Sequence, residues 1–86
     1  MNGRKDKNMT QVEYIVQALR NLGGKGSYSE IYSEYEQITG ITLTSGRKAG
    51  IRKSIEDHSS DSMNYKGDED LFYSVYGIGK GAWGLR

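Results

Sequence analysis

Apolar residues recur at helical spacing soon after residue 10. Val12, Ile15, Ala18, Leu19 and Leu22 share one face, the three-to-four spacing of an amphipathic helix. Thr10 precedes them and Glu13 follows three residues later. That is the capping-box pattern, in which each side chain satisfies the other residue's backbone N–H. Gly23 and Gly24 end the helix, because the left-handed position past a helix favours glycine. Residues 1–9 are polar and unpatterned and are expected to form a flexible tail, so the domain is expected over 10–86.

Gly26-Ser27-Tyr28 suits a short edge strand. Ser29 is expected to cap a second helix running to about Thr39, with Ile31, Tyr32, Tyr35 and Ile38 inward and Glu30, Glu34 and Glu36 outward. Gly40 stops it. Ile41-Thr42-Leu43 reads as a linker whose apolar residues plug the core. Thr44 or Ser45 then caps a third helix reaching about His58. At 100° per residue, Ile51 and Ile55 define its inner face and Lys48 its margin, while Ser45, Ala49, Arg52, Lys53 and Glu56 turn outward.

Ser59-Ser60-Asp61-Ser62 is a polar loop, and Asn64 to Asp70 is rich in turn formers. Leu71 to Tyr76 is the best strand in the chain, Gly77 to Gly81 a glycine-dense turn and Ala82 to Arg86 the returning strand. Residues 71–86 are therefore expected to form a β-hairpin. The order helix, short strand, helix, helix, hairpin predicts an α+β fold. It is that of a winged helix-turn-helix, with three helices, a short edge strand and a C-terminal β-hairpin wing.

Length and composition narrow the function. Eighty-six residues make one domain. With no cysteine, disulfides and thiolate metal sites are excluded. No run approaches the roughly 18 consecutive apolar residues of a membrane span, and the N-terminus lacks an apolar signal core, so a cytoplasmic location and no membrane partner are expected. The formal net charge of +1 is unevenly distributed. Residues 1–28 carry +3, residues 29–44 carry −3, residues 45–58 carry +2 and residues 59–86 carry −1. A nearly neutral chain sorted in this way can still present a basic face to a polyanion.

The third helix concentrates the candidates for that face. A groove-reading helix brings side chains from its N-terminal half to base edges, while neighbouring Lys and Arg engage phosphates. Arg47, Lys48, Arg52 and Lys53 are the expected central DNA contacts, and Ser45, Ser59, Ser60 and Lys80 the expected phosphate contacts. The loop serines equally suit bonds to their own backbone, and the glycines around Lys80 equally suit a plain hairpin turn. Gly46 and Gly50 weaken the helix, which close approach to a phosphate or base edge would explain. Trp83 and Phe72 are expected in the core; one of Tyr65, Tyr73 and Tyr76 is a candidate for the DNA side of the wing. Asp57, His58 and Asp61 match no metal signature, and no pairing of acid, base and nucleophile stands out. No metal, cofactor or catalytic activity is expected.

The pieces Ile51-Arg52-Lys53-Ser54-Ile55, Ser59-Ser60-Asp61-Ser62, Asp70-Leu71-Phe72 and Gly79-Lys80-Gly81-Ala82-Trp83-Gly84-Leu85-Arg86 together carry a resemblance. Over about residues 10–86 the chain resembles winged-helix domains attached to restriction endonucleases, both HNH-type and modification-dependent. The resemblance implies a DNA-targeting module beside a nuclease domain or subunit, in a restriction or defence system. Sensitivity to base modification would require an aromatic cage, for which Trp83 and nearby tyrosines supply the residue types. The other reading is a winged helix that binds a protein partner through its acidic second helix and tyrosine-rich wing.

Overall fold

Thr10 and Glu13 close the expected capping box: the Thr10 amide donates to Glu13 Oε1 at 2.8 Å and the Glu13 amide to Thr10 Oγ1 at 3.2 Å. Helix α1 then spans Gln11–Asn21 and buries Ile15, Ala18 and Leu19. Gly23 and Gly24 turn the chain with φ of 88° and 107°, and the Gly24 amide donates back to the Leu19 carbonyl. The computed structural model describes residues 9–67 and 69–86. The tail expected over 1–9 lies, except for Met9, outside the described residues.

Strand β1 covers Lys25–Ser27 and helix α2 covers Tyr28–Thr39. The cap of α2 is Ser27, not Ser29. Ser27 has Glu30 three residues ahead, and the two close a second reciprocal box. From Ser29 the third residue is Tyr32, which has no carboxylate to return the bond. Ser29 is an exposed residue of the first turn. Tyr28 opens the helix, yet its amide still donates to the Gly81 carbonyl at 2.9 Å, so strand pairing runs into the helix start. Ile31 and Tyr35 are buried, whereas Tyr32 and Ile38 are half-buried. Gly40 ends the helix in the left-handed region.

In the linker only Leu43 enters the core; Ile41 is 42% exposed. The Leu43 amide donates to Glu36 Oε2 at 2.7 Å, fixing the linker against α2. Helix α3 spans Ser45–Asp57, strand β2 Phe72–Ser74 and strand β3 Ala82–Leu85. Strand β2 is shorter than its apolar run because Tyr76 and the glycine turn swing into solvent.

The strands form one antiparallel sheet in the order β1-β3-β2. Lys25 faces Gly84 and Ser27 faces Ala82; Phe72 faces Leu85 and Ser74 faces Trp83. Its central position makes β3 the buried strand, with Trp83 3% exposed. Three helices supply Ile15, Leu19, Ile31, Tyr35, Ile51 and Ile55 to the core that Phe72 and Trp83 complete. The protein is thus a small α+β domain in the anticipated element order. No described helix is long and apolar enough to cross a membrane.

Candidate nucleic-acid interface

Thr44 caps α3, its Oγ1 accepting from the Arg47 amide at 3.2 Å. Ser45 is the first helical residue and is exposed. Ile51 and Ile55 are completely buried. They lock the rotation of the helix and leave Arg47, Arg52 and Lys53 exposed, Lys53 opposite the buried pair and Arg47 and Arg52 on its two flanks. The helix has little apolar surface beyond these two residues, and its orientation depends on them.

Tyr32 orders two of the cations. Arg52 Nη1 donates to the Tyr32 hydroxyl at 3.0 Å, and Lys48 Nζ lies 5.4 Å from the centre of the Tyr32 ring. Cations are drawn to the negative face of such a ring. The Tyr32 hydroxyl favours the charged guanidinium and raises the Arg52 pKa further. Tyr32 stacks on Tyr28 at 5.8 Å and 12°, and the Tyr28 hydroxyl accepts from Trp83 Nε1 at 2.9 Å. Burial outweighs this bond and raises the Tyr28 pKa. Lys53 reaches Asp57 at 2.8 Å, which holds that carboxyl below its usual range and offsets part of the local positive charge. Among the described residues, Arg47, Arg52 and Lys80 have no ion-pair partner.

Lys80 is exposed in the turn between β2 and β3. A cleft of about 620 Å³ separates this turn from α3, with Arg52 and Lys80 among its lining residues, Tyr28 and Trp83 at its floor, and Met63 and Ile78 at its rim. A larger groove of about 750 Å³ between α1 and residues 69–71 includes none of the α3 cations.

The loop serines require correction. Ser59 is completely buried, and its Oγ accepts from the Asp61 amide, so it is not a surface phosphate contact. Ser60 is exposed, but its amide and hydroxyl donate to the two oxygens of Asp70 at 2.8 and 2.6 Å. Its hydroxyl proton is therefore not directed toward a phosphate. Ser62 is also buried. The loop forms an internal clasp whose hub is Arg86. The Arg86 guanidinium reaches Asp70 at 2.8 Å, Asp61 at 3.1 Å and the Phe72 carbonyl at 2.7 Å. Asp61 Oδ2 in turn accepts from the Ser74 amide. Sequence reasoning missed this role of Arg86 and Asp70. The available signal was an arginine closing an apolar strand, opposite a segment holding three aspartates, at 61, 68 and 70.

The remaining candidates divide clearly. Gly50 lies on the side of α3 toward α1, where an added Cβ would meet Gln11 Nε2 at 3.4 Å, an ordinary contact distance. Gly46 is exposed. Phe72 and Trp83 are core residues, as expected, and Trp83 has no open ring face for a base cage. Tyr76 is 72% exposed on the wing side, whereas Tyr73 packs over Gly84 and Tyr65 is half-buried. His58 Nδ1 lies 2.8 Å from the Ser54 carbonyl and donates to it.

All three acids of α2 accept bonds from the chain itself. Glu30 closes the cap, Glu34 accepts from Asn21 Nδ2 at 3.0 Å and Glu36 accepts from the Leu43 amide. These bonds brace the fold, and the three carboxylates have no ion-pair partner among the described residues. No protein-family model, curated protein or solved structure matches this chain.

Proposed function

We propose that the chain is a winged-helix module that binds double-stranded DNA, with α3 in the major groove and the β2–β3 turn against the adjacent backbone. Carrying this reading are the exposed cations Arg47, Arg52 and Lys53 of a helix anchored from beneath by Ile51 and Ile55, with Lys80 lining the cleft beside it. The element order and the β1-β3-β2 sheet support the winged-helix reading. Ser45 and Lys48 complete the contact set; Ser59 and Ser60 drop out of it. The resemblance supports a further role as the targeting part of a nuclease-based defence system.

Fluorescence anisotropy on a mixed-sequence duplex tests the reading. Arg52→Ala with Lys53→Ala lowers affinity at least about tenfold, while the thermal transition persists. Five cations engaged on phosphates give a log–log salt slope of roughly −4 to −5 for the unsubstituted chain. Unchanged affinity in the double variant, or a slope near zero, rejects the assignment.

A further inference from the structure

Ile78 stands 57% exposed at the tip of the β2–β3 turn, between Gly77 and Gly79, whose φ values are 106° and 85°. Positive φ at both neighbours is a conformation that glycine adopts freely, and it holds Ile78 outward in the turn. The turn itself closes through the Lys80 amide and the Gly77 carbonyl and uses no atom of the Ile78 side chain. An exposed isoleucine is unremarkable alone, but this one shares a cleft with Arg52 and Lys80. The surface there is apolar at the tip, with Lys80 on the turn side and Arg52, next to Glu56, on the α3 side.

This inference rests on the DNA reading. On a duplex, one sugar–phosphate strand separates the major groove from the neighbouring minor groove. With α3 in the major groove, the cleft straddles that strand. Arg52 and Lys80 then approach its phosphates from two sides, and the turn beyond enters the minor groove. We infer that Ile78 is a minor-groove wedge that partly unstacks one base step and bends the DNA. Apolar side chains at such a position insert between base pairs, and the bend brings more duplex against the protein. Lys80 two residues on is suited to hold the phosphate beside the opened step. The wedge prefers flexible pyrimidine–purine steps, giving selectivity without a hydrogen bond to any base.

End-labelled duplexes of about 25 base pairs, with either a central TA step or a central GC step, are titrated with the 86-residue chain and followed by energy transfer between the ends. The chain shortens the end-to-end distance by a bend of roughly 20–90° and binds the TA duplex more tightly. Ile78→Ala still binds, within about tenfold, but leaves the duplex straight and removes the TA preference. Ile78→Leu keeps the bend. A bound duplex that stays straight, or an equal bend with Ile78→Ala, overturns the wedge and leaves DNA binding standing. Failure to bind either duplex overturns the DNA reading and the wedge with it.

Discussion

The indole Nε1 of Trp83 donates to the Tyr28 hydroxyl at 2.9 Å, joining the central strand to the first turn of α2 across 55 positions of sequence. Trp83 is 3% exposed, so its N–H has little access to water. Tyr28→Phe keeps the ring stack on Tyr32 but leaves that donor unpaired. The expected cost is about 1–2 kcal/mol, read as a lower urea midpoint at unchanged slope.

Arg86 holds Asp61, Asp70 and the Phe72 carbonyl with one planar guanidinium. Lysine places a single point charge and cannot span the same acceptors. Arg86→Lys is therefore expected to destabilise nearly as much as Arg86→Ala, each by about 1–2 kcal/mol for this partly exposed network. Chemical denaturation of the two variants side by side provides the check. Full rescue by lysine would show that charge alone matters.

Asp70 supplies the pH dependence. The Ser60 hydroxyl and amide, with Arg86 behind them, hold its carboxyl below the usual range. The unfolded chain consequently takes up a proton at higher pH than the native state does. Stability from this group is complete above the ordinary aspartate value of about 3.9 and is lost as pH falls through the depressed native value. Urea midpoints measured from about pH 5 down to about pH 3 are expected to fall, and Asp70→Asn is expected to flatten part of that decline while lowering the midpoint at neutral pH. An unaltered pH profile in the variant removes Asp70 from the account.

Gly84 faces Tyr73 across the β2–β3 ladder. A Cβ added at Gly84 would stand 2.5 Å from Tyr73 Cε1 and 2.7 Å from Cζ, forcing the ring aside. Gly84→Ala is expected to cost about 1–3 kcal/mol, and distinctly less in a Tyr73→Ala background, where the obstructing ring is gone. A double-mutant cycle by thermal or urea unfolding measures this coupling. Strict additivity would show that the ring is not the obstacle.

Local chemistry was readable along the chain wherever the interacting groups lie within a turn of helix. The Thr10–Glu13 box, the inward pair Ile51 and Ile55, the left-handed Gly40 and the order of the six elements all follow from spacings of a few residues. The cap of α2 falls at Ser27 and not at the expected Ser29, because Ser27 has Glu30 three residues ahead whereas Ser29 has Tyr32.

The serine loop and the charge pattern needed the folded molecule. Ser60 meets Asp70 ten residues away and Arg86 twenty-six away, and Gly50 meets Gln11 on another helix. A loop serine suits a phosphate or an internal acid equally well. Spacing along the chain carries no information about which acid the fold brings within 3 Å. Periodicity located the cations of α3, but packing decided that Arg52 leans on Tyr32, Lys53 on Asp57, and that Lys80 faces Arg52 across a cleft. Helix caps and hydrophobic faces are set by neighbours in sequence, whereas partners for long polar side chains are set by which surfaces the core brings together.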